Sequence, residues 1–251
     1  MVNEVQLSNA PIKEAVIDIQ IASDQIRIDQ LESLIKQMPS EYTEIMPISE
    51  SYMELGISSK GKSAFNNQGF DIVGYRAENL DSNFIAQFKK TGFSLSKLPP
   101  YDEWQSFKYE AQKLWPLYRR IVPDLKFSRL AVRYINEMAL PIVDEYNKPI
   151  NFDDYLVNGP KPPIGMGPVV EGFFSKVDIP WPKRNTNIIV MQVLKEITAT
   201  HAIVVLDTDI YRTSVSDFSE AEMWDFFDDL RDLKNMAFRG SLTDKTMELF
   251  K

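Results

Sequence analysis

The sequence predicts an α+β fold in which antiparallel sheet packs on long helices, and three observations support this prediction. Several segments alternate apolar and polar residues, as half-buried strands do, and they follow one another with links of hairpin length. Two other segments, around Trp104 and Trp224, carry aromatic and aliphatic residues at helical spacing. No helical pattern separates the strands expected between residues 41 and 98, whereas a parallel sheet needs helical crossovers.

The first strand is expected at residues 10–21, because Ala15, Ile17, Ile19 and Ile21 fall on one face of an extended chain. The same reasoning places further strands at residues 43–55, 70–78, 84–93, 125–140, 169–179, 186–197 and 201–211.

Apolar spacing and flanking helix breakers place helices at residues 24–39, 104–118, 152–157, 219–240 and 243–250. Ser219 and Glu222 form the capping-box pattern at the start of the longest one, and Gly240 is its expected C-cap.

The predicted elements fall into two α+β halves, residues 1–141 and 142–251, which we expect to form one compact unit. Each half contains a module of three successive strands, a connection and a long aromatic helix, so we interpret these modules as two β-β-β-α pseudo-repeats. Trp104 then corresponds to Trp224.

Composition limits the classes of function. The formal net charge is -8 and the isoelectric point is near 4.9, which argues against nucleic-acid binding because phosphate neutralisation needs clustered Lys and Arg. The chain has no cysteine, so disulfides and cysteine-ligated metals are excluded. The first residues lack the pattern of a signal peptide, and no apolar run approaches the length of a membrane span. We therefore expect a cytoplasmic protein that does not contact the membrane.

Residues 56–63 match every position of the P-loop pattern G-x-x-x-x-G-K-[ST]. A P-loop needs a helix directly after its lysine and serine, because the helix N-terminus supplies the N–H groups and the dipole that bind phosphate. Here the following residues, 64–70, are turn-like. We therefore interpret the match as a hairpin tip, where Lys60 and Lys62 are basic residues suited to contacting a partner protein.

Polar residues on three predicted strands are the candidates for a ligand site. Arg133 lies on an otherwise apolar strand, where an unpaired guanidinium is costly, and Asn136 follows it. Glu14 and Glu54 are candidate partners from other strands. One interpretation is a structural ion-pair network, and the other is a binding site for an anion or small ligand around Arg133.

The weakest candidates are catalytic. Asp207 and Asp209 project from one face of a strand that follows an apolar run, which resembles the Mg²⁺-binding part of a nucleotide-hydrolysing site but also fits a solvent-facing strand. His201 is the only histidine, so a multi-histidine metal site is ruled out and one candidate imidazole base is left. We expect no cofactor under the leading interpretation and Mg²⁺ under the alternative.

Trp181 lies between Pro180 and Pro182, in a sequence typical of a turn. Exposed tryptophan residues are frequent anchors of protein interfaces. Trp181, Lys60 and Lys62 are therefore the residues expected to contact a partner protein.

Three short motifs resemble those of a known family. Residues 7–15, LSNAPIKEA, are similar to the opening signature of the "sporadically distributed" family of uncharacterised bacterial proteins, and residues 133–136, RYIN, resemble its central motif. Residues 206–209, LDTD, are also similar to a family strand. The family has no established activity. Its patchy occurrence, typical of genes on mobile elements, implies an accessory or sensing role in a phage-defence or toxin–antitoxin system.

The leading functional hypothesis is a non-enzymatic cytoplasmic module that binds another protein or senses a signal. The alternative is an enzyme or a small-ligand protein, for example a nucleotide binder, that uses Arg133 and the carboxylates. The alternative requires Arg133 and the carboxylates to converge in a concave pocket. A binding module should instead show them in satisfied pairs, with an apolar patch exposed elsewhere.

Overall fold

The computed structural model describes residues 7–23, 25–57, 63–142 and 149–251, with side chains outside residues 51–68. Within these residues nine strands form one antiparallel sheet. In chain order they are β1 (Ile12–Ile21), β2 (Glu44–Ile57), β3 (Ser63–Asn79), β4 (Phe84–Lys89), β5 (Gly92–Lys97), β6 (Phe127–Pro141), β7 (Phe174–Trp181), β8 (Thr186–Ile197) and β9 (His201–Arg212). Their order across the sheet is β2-β3-β4-β5-β1-β6-β9-β8-β7.

Four α-helices accompany the sheet in the described part of the chain. They are α1 (Ile28–Ile35), α2 (Trp104–Arg119), α3 (Glu220–Ser241) and α4 (Asp244–Glu248), and single 3₁₀ turns lie at Phe152–Asp154 and Pro182–Arg184.

The predicted fold class is wrong. The chain is mostly β, with 40% of its residues in strands and 26% in helices, and it does not form sheets packed on long helices. Several predicted helices are much shorter than expected: α1 begins after Arg27, α4 has five residues, and the helix expected at residues 152–157 is a 3₁₀ turn. The expected β-β-β-α pseudo-repeats are absent too, because five strands precede α2 and four more precede α3.

The faces of the central strands follow the alternation of the sequence. Ala15, Ile17, Ile19 and Ile21 of β1 are buried, as predicted. They pack in one continuous core with apolar side chains of α1, α2 and α3, so these helices cover the same face of the sheet. We call the opposite face, which carries Arg133 of β6, the open face. No described helix packs there.

Two local features of the sheet concern turns. The hairpin expected around residues 56–63 is confirmed, since Ile57 pairs with Ser63 and β3 begins where a P-loop would begin its helix; residues 58–62, with Lys60 and Lys62, lie outside the described residues. The single strand expected at residues 84–93 is wrong, because β4 and β5 are two strands. Gly92 allows the second one to approach β1, where a Cβ would lie 2.2 Å from the carbonyl oxygen of Ile19.

The start of α3 is confirmed and its end is not. Ser219 and Glu222 exchange the hydrogen bonds of a capping box. Gly240 lies inside α3 instead of capping it, since Leu242 is the C-cap. Pro116 lies inside α2, near its C-terminal end. Asp24, the expected start of the first helix, lies outside the described residues.

The two halves share the sheet, because β6 of the first half pairs with β9 of the second. The boundary between residues 141 and 142 stays a prediction. Among the described residues, no helix combines the length and apolar character needed to cross a bilayer.

Candidate functional site

Arg133 forms a two-pronged ion pair on the open face. Its Nε donates to Asp207 Oδ1 at 3.0 Å and its Nη2 to Asp207 Oδ2 at 2.6 Å, across the β6–β9 pair. The Asp207 side chain is only 8% exposed. The hydrogen bonds from Arg133 to Asp207 raise the pKa of the guanidinium above its usual value. Both groups therefore already have their charge partner, in the fork geometry that carboxylate and guanidinium prefer.

Arg129, on the same face, bonds to two further carboxylates. Its Nη1 donates to Asp18 Oδ2 at 2.7 Å, and its Nη2 donates to Asp209 Oδ2 at 2.7 Å. The guanidinium also lies over the ring of Tyr211 at 4.7 Å. Burial raises the pKa of both Asp18 and Asp209, and attraction to Arg129 opposes that rise only in part. We call the set Arg129, Arg133, Asp18, Asp207 and Asp209 the ionic ladder.

The other predicted ligands do not join the ionic ladder in one site. Glu14 lies on β1, beside β6, and adds a weak attraction to Arg133 without an ion pair. Glu54 belongs to β2, five strands away from β6 and so about 24 Å distant; its side chain lies outside the described residues. His201 begins β9, about 20 Å along the strand from Asp207, and its Nδ1 is 2.9 Å from the Thr200 hydroxyl.

The carboxylates of the ionic ladder are committed to ion pairs with arginine. No group of three or more His, Asp or Glu within the described residues is placed to hold a metal. Neither of the two cavities described below is lined by Arg133, Asp207 or Asp209.

The first cavity, which we call the tyrosine pocket, brings two of the sequence motifs together. It has a volume of about 290 Å³ and is lined by Leu7, Ala10, Pro11, Ile12, Tyr101, Asp102, Glu103, Trp104, Gln105, Tyr134, Asn136, Arg231, Lys234, Asn235, Phe238 and Arg239. Residues 7–12 come from the LSNAPIKEA segment, and Tyr134 and Asn136 come from RYIN. The register of β1 on β6 explains this, because Ile12 pairs with Asn136.

Polar groups on the floor of the tyrosine pocket are fixed by hydrogen bonds. The hydroxyls of Tyr101 and Tyr134 lie 2.7 Å apart, and Asn136 Nδ2 donates to the Leu206 carbonyl. Burial raises the pKa of Tyr101 to about 12 and that of Tyr134 further, so both phenols are neutral near pH 7. Lys234 Nζ lies 3.7 Å from the centre of the Tyr134 ring. The pocket therefore combines neutral hydroxyls with lysine and arginine side chains from α3 and with the carboxylates of Asp102 and Glu103.

The second cavity is an apolar groove between the edge strand β7 and α3, which we call the β7 groove. Its volume is about 250 Å³, and it is lined by Asn158, Ser175, Val177, Ile179, Trp181, Ile188, Val190, Gln192, Met236, Ala237, Gly240 and Ser241. It exists because α3 packs on β6 and β9 and leaves the outermost strand uncovered. Val177, Ile179 and Met236 are 49%, 37% and 47% exposed there.

One side of the β7 backbone, next to this groove, pairs with no strand of the described residues. The Phe173 carbonyl accepts from Leu194 N at 3.1 Å, so residue 173 faces β8. Because hydrogen-bonding direction alternates along an antiparallel strand, Ser175, Val177 and Ile179 also bond to β8, whereas Phe174, Lys176 and Asp178 direct N–H and C=O outward. Pro180, which has no N–H, occupies the next outward position, where proline is tolerated. No described strand pairs with this side.

Two residues set the shape of the β7 groove. Trp181, the predicted partner contact, is the last residue of β7; it is half-buried against the main core and lines the end of the groove. Gly240 is exposed on α3, and a Cβ added there would meet no atom within 4 Å. Helix stability favours alanine over glycine at such a position, and no neighbour among the described residues requires the glycine.

Sequence reasoning missed the β7 groove although its signals were present. Lys176 within the predicted strand 169–179 and Pro180 directly after it are typical of sheet edges, so the strand could have been assigned to an edge. The approach of α3 could not have been predicted, because it depends on the order of strands in the sheet.

Comparison with known proteins gives no support for a particular family. No family model, no curated protein and no solved structure matches the chain. The resemblance to the "sporadically distributed" family therefore stays a prediction.

Proposed function

We propose that this protein is a cytoplasmic protein-interaction module that binds an extended segment of a partner chain by strand addition to β7. The observation that carries the proposal is the outward backbone of Phe174, Lys176 and Asp178 beside the apolar β7 groove. Strand addition uses main-chain hydrogen bonds for affinity and pockets for alternate side chains for specificity. β7 offers the former and the groove the latter.

The charged residues support a binding module over an enzyme. Arg133, Asp207 and Asp209 lie in satisfied ion pairs on the open face, which is the arrangement expected of structural residues. Val177, Ile179 and Met236 instead form the exposed apolar patch expected of a protein-binding surface.

A docked strand has a defined position. Its backbone bonds to the outward groups of Phe174, Lys176 and Asp178, and every second side chain points toward the β7 groove. Those side chains cover Val177, Ile179 and Met236, which are partly exposed in the single chain. An apolar residue at alternate positions of the partner segment therefore stabilises the complex.

The biological setting follows from the motif resemblance alone. An accessory or sensing component of a phage-defence or toxin–antitoxin system is consistent with a module that binds a protein.

The proposal is tested by selecting eight-residue peptides from a displayed random library on the wild-type protein. We expect enriched peptides with alternating apolar residues, and we expect Lys176→Pro to weaken their binding at least tenfold. Proline removes an outward N–H and blocks approach to the edge, while the bonds of Ser175 and Val177 to β8 remain.

Lys176→Ala is the matched control, because it removes the charge and keeps the N–H; it should retain most of the peptide binding. Unchanged thermal melting of both variants shows that the sheet is intact. If no peptide is enriched, or if folded Lys176→Pro binds the peptides as well as wild type does, strand addition to β7 is wrong.

A second candidate function, small-molecule binding, is supported by the tyrosine pocket and not by Arg133. The paired hydroxyls of Tyr101 and Tyr134 and the ammonium of Lys234 suit a ligand with an anionic group. Inorganic phosphate and ATP are the probes. Either should raise the melting temperature of wild type and of Lys195→Gln, a control on the open face, but not of Lys234→Gln. No shift, or the same shift in both variants, contradicts this candidate.

A further inference from the structure

We infer that the partner strand that fits β7 is β7 of a second copy of this chain, paired antiparallel about a two-fold axis at Val177. This inference rests on the proposed function, since it names the occupant of the same edge. The basis is that the outward side of β7 is self-complementary in charge and in hydrogen bonding.

The charges select one register. Lys176 and Asp178 project from the open face, where their side chains are 43% and 64% exposed and form an ion pair at 3.1 Å within the chain. In an antiparallel pair of identical strands, the two residue numbers of every opposed pair add up to the same value, which is twice the number of the residue on the axis. Centring the axis on Val177 opposes Lys176 to Asp178 of the second copy, and the symmetry repeats the pair. Centring it on Lys176 or Asp178 instead opposes like charges, which is destabilising.

The hydrogen bonds agree with this register. Lys176 and Asp178 both direct their N–H and C=O outward, so opposed residues form a hydrogen-bonded pair and exchange two bonds. Phe174 lies opposite Pro180 of the second copy. The N–H of Phe174 can donate to the carbonyl of this proline. The proline has no N–H to return the bond, but it lies at the end of the paired segment, so one hydrogen bond is lost and the register is kept.

The apolar side chains are brought together on the face of the groove. Val177 meets Val177 of the second copy, and Ser175 lies opposite Ile179. The β7 grooves of the two copies then join into one continuous channel between the two α3 helices, and the exposure of Val177 falls. The contact is confined to two short strands, so the area buried is small and a dissociation constant of about 10–100 µM is expected.

The same side chains discourage other occupants. A lysine and a proline on an edge strand oppose pairing with an arbitrary neutral strand, because Lys176 would lose solvent without gaining a partner. That cost is removed when the docked strand places a carboxylate opposite Lys176 and, two residues away, a lysine opposite Asp178. β7 itself supplies this pattern.

The test is the mass in solution as a function of concentration, for wild type and three charge variants. Sedimentation from about 1 µM to about 500 µM should show wild type moving from 28.9 kDa toward twice that mass. Lys176→Asp opposes two aspartates and Asp178→Lys opposes two lysines, so each should raise the dissociation constant at least tenfold. The exchange of both, Lys176→Asp with Asp178→Lys, restores opposite charges and should return it to within about threefold of wild type.

Each outcome is decisive for the self-pairing. Loss in both single variants and recovery in the double variant support it, provided that all three variants melt at the temperature of wild type; this control is needed because the exchange also restores the ion pair within the chain. A wild type that stays at 28.9 kDa, or a double variant no better than the single ones, overturns it. Strand addition itself is judged separately by the displayed peptides: if they bind wild type but not Lys176→Pro while the protein stays monomeric, the proposed function stands and only the second copy is wrong.

Discussion

Arg133 shows what can be read from a residue and what depends on the sheet around it. Its position on an apolar strand predicts a charge partner, because an unpaired guanidinium would be costly there. The partner is Asp207, not Glu14 or Glu54. That choice follows from the pairing of β6 with β9, which are separated in the chain by β7 and β8. The need for a pair was therefore predictable, and its identity was not.

Removing Arg133 should destabilise the fold. In Arg133→Ala, the nearly buried Asp207 carboxylate loses both prongs of its ion pair, and we expect the free energy of unfolding to fall by about 2 kcal/mol. Replacing both groups by apolar residues, Arg133→Met with Asp207→Leu, leaves no unpaired charge and should recover most of the loss. Urea unfolding measures both. If Arg133→Ala has the same free energy of unfolding as wild type, the structural role of the pair is contradicted.

Asp209 gives a prediction for pH. Burial raises its pKa above the ordinary value of 3.8, so the folded chain binds this proton more tightly than the unfolded chain does. The resulting stability is complete below 3.8 and is lost as pH rises through the folded-state pKa. Wild type should therefore lose stability relative to Asp209→Asn as pH increases from about 3.5 to about 7. Urea unfolding across this range gives the free energy of unfolding of wild type minus that of Asp209→Asn. If this value stays constant or rises with pH, the raised pKa of Asp209 is contradicted.

At the scale of elements, alternation predicted the central strands well and the edges poorly. β1, β6 and β9 have one clearly apolar face, because both their neighbours are strands and helices cover that face. Sequence alone placed residues 84–93 in one strand, although Lys90 and Thr91 separate β4 from β5. It also made Gly240 a helix cap. Gly240 lies inside α3 and lines the β7 groove, so it does not cap the helix.

Gly240 separates helix stability from groove binding. Gly240→Ala should raise the free energy of unfolding by about 0.5–1 kcal/mol, because alanine has the higher helix propensity and a Cβ meets no atom. Gly240→Leu should be at least as stable as wild type. Its side chain should fill the groove and lower the affinity for the selected peptides at least tenfold. Thermal melting and peptide binding measure the two effects. Equal peptide binding by Gly240→Leu and Gly240→Ala contradicts docking in the groove.

At the scale of the whole molecule, the error in fold class comes from connectivity. The sequence shows where strands are but not that all nine described strands join one sheet, with β1 inserted between β5 and β6 and the last three strands in the reversed order β9-β8-β7. Those pairings set which strand is left at the edge. They also place the P-loop match in the β2–β3 hairpin, far from any helix that would follow it.

The P-loop match therefore should not bind nucleotide. Any rise in melting temperature that ATP with Mg²⁺ causes should be the same in wild type and in Lys62→Ala, because no helix N-terminus follows residue 63 to bind phosphate. Thermal melting of the two proteins with and without ATP and Mg²⁺ measures this. A rise that Lys62→Ala abolishes contradicts the hairpin interpretation.

Amide hydrogen exchange at β7 tests most directly whether this edge is an interface. The amides of Val177 and Ile179 bond to β8 and should be protected in every condition. Those of Lys176 and Asp178 point outward, so they should exchange fast in dilute protein and become protected when a selected peptide or a high protein concentration is present. Fast exchange of Lys176 and Asp178 in all these conditions would contradict strand addition to β7.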